Sequence, residues 1–139
     1  MAKYQLDLDY DYDFDLIGIS CHYKEYRLAW ALNKTLGLTF EREELDYQVA
    51  NKKSEKSSYF PIFNSLDEET NTNCFLISKR CYNGYLIPEQ KHSDYFLIIK
   101  DNFDLDISEF LGDLRKIDLI LTAFSVDIEG LKSKENLMF

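Results

Sequence analysis

The segment Tyr85-Leu-Ile-Pro-Glu-Gln-Lys-His-Ser-Asp-Tyr-Phe-Leu-Ile-Ile-Lys100 constrains the fold more than any other part of the chain. Pro88 fixes its own φ and biases Ile87 toward extended backbone. Pro88-Glu-Gln-Lys suits a single helical or type I turn. Asp94 can then hydrogen-bond nearby backbone N–H groups before the apolar run begins. Tyr95 opens that run and can bury its ring while its hydroxyl finds a partner. A turn of fixed shape that launches a buried strand is therefore expected.

The remaining elements follow from periodicity. Residues 3 to 15 alternate strictly, with Tyr4, Leu6, Leu8, Tyr10, Tyr12 and Phe14 on one side and Asp7, Asp9, Asp11, Asp13 and Asp15 on the other. Period two predicts a strand with one buried face. The spacing then predicts a bend near Asp13–Leu16 and a short second strand over Leu16–Ile19. A helix is predicted over 22–36, with Leu28, Leu32 and Leu36 in register and Tyr26, Ala29 and Trp30 beside them. His22 and Glu25 imitate a capping box at its start, and Gly37 stops it. Strands are expected at Leu38–Arg42, Tyr59–Ser65, Cys74–Arg80 and Asp94–Lys100. A second helix is expected over 106–116, capped by Asp106 with Glu109, and Leu119–Val126 reads as a central strand. The order β(β)αββββαβ predicts one α+β domain over residues 1–139. Its core would be a single, mainly antiparallel sheet of five to six strands with both helices on one face. The other face is expected to be partly wet and to carry the aspartates.

Charge narrows the partners. The chain has 139 residues and a net charge of −9, concentrated at its two ends. Residues 1–21 hold five Asp and one Lys, whereas residues 22–100 hold eleven acidic and eleven basic side chains. No basic stripe exists to neutralise phosphates, which argues against direct nucleic-acid binding. No run of 18 apolar residues suggests a membrane span, and the first residues lack a signal-peptide pattern. The expected compartment is the cytoplasm. The three cysteines, Cys21, Cys74 and Cys81, have no Cys-x-x-Cys spacing and are expected to be reduced and mostly buried.

Candidate chemistry is sparse. Neighbouring aspartates on a strand face stand ~7 Å apart, and four such pairs would repel by about 2 kcal/mol in all before screening. Calcium could offset that repulsion. However, no frame starting at Asp7, Asp9 or Asp11 has glycine at position six and glutamate at position twelve. Cys21 with His92, or a zinc site from the cysteines and a histidine, lacks supporting spacing. The five glycines stand singly, so there is no phosphate loop. Glu89 with Asp94 could form an acid/base pair, but no second catalytic element accompanies them. Asn33 falls within the apolar arc of its helix and is expected to tie the helix to neighbouring backbone. Arg27 and Lys34 lie on the wet side.

Ile87-Pro-Glu-Gln-Lys-His-Ser-Asp-Tyr95 resembles the defining motif of the IPExxxVDY family of small bacterial proteins, departing at Ser93, where the family has valine. Leu16-Ile-Gly-Ile19, Tyr26-Arg-Leu-Ala-Trp-Ala-Leu-Asn33 and the ending Leu131–Phe139 are similar to other recurrent family segments. The resemblance singles out Ile87, Pro88, Glu89, Asp94, Tyr95, Arg27 and Asn33. It implies a soluble bacterial protein of about this size and brings no activity, cofactor or catalytic residue.

No cofactor, metal or catalytic residue is therefore expected. The leading expectation is a non-enzymatic module that binds an unidentified protein partner. Its candidate surfaces are the row Asp7, Asp9, Asp11 and Asp13, the Ile87–Tyr95 turn, and the apolar segment Leu137, Met138 and Phe139. The alternatives are a small-molecule-binding protein or small enzyme with a pocket near Glu89, Asp94, Tyr95 and Asn33, and a self-associating homodimer.

Overall fold

The apolar run after the Pro88 turn becomes an interior strand of the main sheet. A computed structural model describes residues 13–50, 56–102 and 105–139. β1 (Phe14–Ser20) runs between β9 (Tyr95–Lys100) and β10 (Thr122–Ser125). Beyond β9 follow β6 (Asn73–Ser78), β5 (Ile62–Leu66) and β2 (Glu41–Arg42), giving the order β10-β1-β9-β6-β5-β2. Every pairing in this sheet is antiparallel. Among the described residues, two further strand pairs form: β3 (Tyr47–Val49) with β4 (Ser58–Phe60), and β7 (Arg80–Cys81) with β8 (Gly84–Tyr85). The fold is α+β with one main antiparallel sheet.

Side chains of β9 alternate between two cores. Tyr95, Leu97 and Ile99 point into one, with Ile17, Ile19, Leu76 and Ala123. Both helices cover that side. α1 (Glu25–Leu36) contributes Leu28, Ala29, Ala31 and Leu32, and α2 (Ile107–Arg115) contributes Phe110, Leu111 and Leu114. Gly37 adopts the left-handed conformation at φ 69° and returns its N–H to Asn33, ending α1. The Asp106 carboxylate caps α2 by accepting from the N–H groups of Ser108 and Glu109.

The opposite face is not wet. Phe96 and Ile98 point there into a second core with Phe14, Leu16, Ile62 and Ile77. Neither α1 nor α2 covers them. Phe60 of β4, Leu86 and Ile87 of the turn, and Ile128, Leu131 and Leu137 of the last segment close over them instead. A strand apolar at five successive positions needs cover on both sides, and this segment supplies it. Asp15 is also displaced from its expected side. Asp15 shares odd parity with Ile17 and Ile19, so it lies toward the helices, where it accepts a hydrogen bond from Asn102 at 3.2 Å. Asp13 is exposed just before β1. Asp7, Asp9 and Asp11 lie outside the described residues.

Several element boundaries differ for local reasons. β1 runs unbroken through the expected bend near Asp13–Leu16. The Tyr59–Ser65 strand divides at Pro61, which has no N–H for the ladder. Leu119–Val126 is not a central strand, because only Thr122–Ser125 pairs and it forms an edge. α1 starts at Glu25, with Lys24 rather than His22 at its cap. Tyr26 and Trp30 do not join the core; they are 64% and 52% exposed, while Ala31 is buried.

Candidate functional site

The Ile87–Tyr95 turn is tied to the rest of the chain on both sides. Ile87 is buried in the second core, and its carbonyl accepts from Gln90 N–H to close the turn. The Glu89 carboxylate reaches across to residues 132 and 133. It accepts from the Lys132 and Ser133 N–H groups at 2.5 and 2.9 Å, and from the Ser133 hydroxyl at 2.6 Å. Partial burial opposes ionisation of Glu89. The hydrogen bonds from the Ser133 hydroxyl and the local backbone outweigh it and hold the carboxyl below its usual range.

Asp94 works on the other side of the turn. Its carboxylate accepts from Cys21 N–H at 2.9 Å and pairs with Lys79 at 3.1 Å, while its N–H donates to the Ile19 carbonyl. The end of β1 is thereby fixed to the start of β9. The Tyr95 hydroxyl donates to the Tyr23 carbonyl at 2.5 Å, holding the loop before α1. Burial pushes this phenol above its ordinary range, and the nearby Glu25, Cys21 and Asp94 add to the shift. Glu89, Asp94 and Tyr95 thus each hold this chain's own backbone.

Ser93 has no such role. It is 0% exposed, and its hydroxyl has no hydrogen-bond partner among the described residues. It sits against Gly18, where an added Cβ would overlap Ser93 Oγ and meet the Phe124 ring at 3.0 Å.

The last residues also fold onto the chain itself. Leu137 is fully buried. The Phe139 ring stacks on Tyr47 at 4.6 Å, meets Phe14 edge-on at 6.0 Å and leans on Phe75 at 5.3 Å. The Tyr47 hydroxyl donates to the Asn136 carbonyl and accepts from Met138 N–H at 2.8 Å. The Asn136 side-chain amide donates to the Leu86 carbonyl. Met138 is exposed.

Asn33 and Arg27 stand apart from this corner. The Asn33 amide donates to the Phe40 carbonyl at 3.1 Å and accepts from Phe40 N–H at 2.7 Å, tying α1 to the chain after it. Arg27 and Lys34 flank the exposed Trp30 ring, at 5.4 and 4.8 Å from its centroid. Burial raises the Cys21 thiol above its ordinary value, only partly countered by a backbone hydrogen bond near Tyr23, and raises Cys74 to about 11. Such thiols are poor nucleophiles at neutral pH. Among the described residues, no three His, Cys, Asp or Glu side chains gather to hold a metal ion. No helix among them is long and apolar enough to cross a membrane.

A concavity of about 820 Å³ lies elsewhere on the described residues. Tyr82 at the tip of the β7–β8 hairpin, Tyr85 on β8 and Tyr59 on β4 rim it, with Pro61, Asn83 and Arg80 between them. Glu25 and Asp46 supply two carboxylates, and Asp46 is already paired with Arg42 at 3.0 Å. Neither Glu89, Asp94, Tyr95 nor Asn33 lines it, nor do they line a smaller cleft of about 260 Å³ beside β1 and β10. Sequence reasoning did not single out Tyr82 or Asn83, which lie between the Cys74–Arg80 strand and the Tyr85–Lys100 segment. The signal was present as Asn83-Gly84, a turn dipeptide between two tyrosines. Gly84 packs against Ser58, where an added Cβ would fall 2.6 Å from Ser58 Oγ and require that hydroxyl to turn away. No family model, curated protein or solved structure matches this chain.

Proposed function

We propose that the protein is a non-enzymatic interaction module and that it binds its partner at the tyrosine-rimmed cleft. The carrying observation is one of exposure. Tyr59, Tyr82 and Tyr85 are 54%, 97% and 54% exposed around a single concavity, while the motif carboxylates are engaged within the chain. Tyrosine offers large contact area with few rotors to immobilise, and aromatic side chains are enriched at the centres of interfaces. The Ile87–Tyr95 corner and the Leu137–Phe139 segment then serve as braces for the second core rather than as contact surfaces.

The motif resemblance supports a place among the IPExxxVDY proteins and a bacterial origin. Three free cysteines, two of them buried, fit a reducing cytoplasm. The test is affinity capture with the tagged chain beside a Tyr59→Ala/Tyr82→Ala/Tyr85→Ala variant. A partner held by the wild type and lost by the variant is expected. A partner that both hold equally would move the surface away from the cleft. Recovery of nothing above background would count against the interaction reading itself.

A further inference from the structure

We infer that two copies of this chain pair reciprocally, the outer stripe of α1 on each meeting the bend at residues 43–46 of the other. This goes beyond the cleft reading and uses a different surface. Tyr23, Tyr26, Arg27, Trp30 and Lys34 are all exposed. Steps of three and four residues put them on one side of α1, away from the buried Leu28 and Leu32. The stripe is held in place by contacts within the chain. The Tyr95 hydroxyl fixes the Tyr23 carbonyl, and Arg27 and Lys34 lie over the Trp30 ring from the turns before and after it. Among the described residues, neither Arg27 nor Lys34 has an ion-pair partner. Glu25 stands two residues before Arg27 and so faces another side of the helix.

The bend between β2 and β3 has the opposite make-up. Glu43, Glu44, Leu45 and Asp46 are all exposed, and Leu45, at 83%, is the most exposed leucine among the described residues. Asp46 is taken by Arg42, whereas Glu43 and Glu44 have no ion-pair partner among the described residues. Two unpaired acids beside a bare leucine thus answer two unpaired cations around a bare indole. Leu45 packs on the Trp30 and Tyr26 rings of the second copy, and Glu43 and Glu44 reach its Arg27 and Lys34. One such contact is smaller than a stable interface, which buries roughly 1,200–2,000 Å². Reciprocal pairing makes the contact twice and closes the assembly at two copies. The net charge of −9 on each copy opposes this weakly, because at 0.15 M salt charges more than ~8 Å apart are largely screened.

The test is sedimentation equilibrium of the full chain up to about 1 mM in 0.15 M salt. A monomer–dimer equilibrium with a Kd of about 0.1 mM is expected. Arg27→Glu/Lys34→Glu and Glu43→Lys/Glu44→Lys should each weaken it at least about tenfold. Mixed together, the two variants should form a heterodimer of about wild-type strength, because both contacts of the reciprocal pair are then restored. Each variant shifts the charge of −9 by four units, so both stay acidic and bulk attraction does not produce the rescue. Leu45→Ser should weaken pairing at least about threefold with no change of charge. All five side chains are exposed, and circular dichroism checks that each variant stays folded. A wild type that stays monomeric to about 1 mM, variants that pair as well as the wild type, or a mixture that stays monomeric would overturn the proposal. Assemblies larger than a dimer would do so as well, since they signal open head-to-tail growth. No variant touches Tyr59, Tyr82 or Tyr85, so failure here leaves the cleft reading standing.

Discussion

Ser93 offers the sharpest test of the packing described here. Its hydroxyl is fully buried beside Gly18 and has no partner among the described residues. A buried, unsatisfied hydroxyl costs about 1–3 kcal/mol relative to a satisfied one. Ser93→Ala removes that penalty and forfeits the few dispersion contacts of one oxygen, worth roughly 0.1–0.2 kcal/mol each. The expected net is a gain of about 1 kcal/mol. Unfolding entropy scales at roughly 2 cal/mol/K per residue, so for a chain of this size the gain appears as a rise in Tm of about 3 °C. Urea denaturation with an unchanged m-value, together with thermal melts, reads both quantities. A converse variant closes the cycle. Gly18→Ala drives a methyl into Ser93 Oγ and the Phe124 ring and should cost about 1–3 kcal/mol. Gly18→Ala with Ser93→Gly should recover a good part of that loss, so that the two changes are strongly non-additive. If Ser93→Ala destabilises by 1 kcal/mol or more, the hydroxyl is hydrogen-bonded in solution and the reasoning fails.

Other outcomes follow from the same contacts. Leu137→Ala should cost about 2–4 kcal/mol by denaturation, because the side chain is fully buried in the second core. Glu89→Gln keeps an acceptor but removes its charge, so it should loosen residues 132–133, read as faster amide exchange at those two N–H groups and a loss of about 1 kcal/mol. Because the folded-state pKa of Glu89 is depressed, its contribution is present above the ordinary value of 4.5 and disappears as pH falls through the lower folded value. The gap between wild type and Glu89→Gln should therefore close in acid; a constant gap would assign the loss to packing. In the native protein, iodoacetamide should label Cys81 well before Cys21 and Cys74, as peptide mass spectrometry would show.

What the sequence discloses is what local chemistry decides. Gly37 ends a helix because few other residues tolerate that backbone, and Asp106 starts one because its carboxylate meets free N–H groups. The launch of β9 from Pro88 and the Asn33 tie are legible for the same reason. The cover on the second face is not. It comes from a three-residue hairpin strand and two 3₁₀ turns, elements too short to carry any period. Trp30 misleads because an aromatic residue beside a leucine stripe can be shielded by flanking cations instead of being buried. The cleft is least visible of all. Residues 25, 46, 59 and 80–85 meet only through tertiary folding.

The strand order interleaves the two halves of the molecule. Take the polar connection 67–72 as the dividing line. The sheet then reads second half, first, second, second, first, first along β10-β1-β9-β6-β5-β2. β1 is enclosed on both sides by strands from the far half, with Ile17 opposite Leu97 on one side and Ser125 on the other. Neither half could complete a sheet alone, because each leaves the other's ladder bonds unmade. Such contacts close long loops, which predicts slow, all-or-none folding for so small a chain. A chain cut within 67–72 should consequently behave as two unstructured fragments that regain the native spectrum only on mixing.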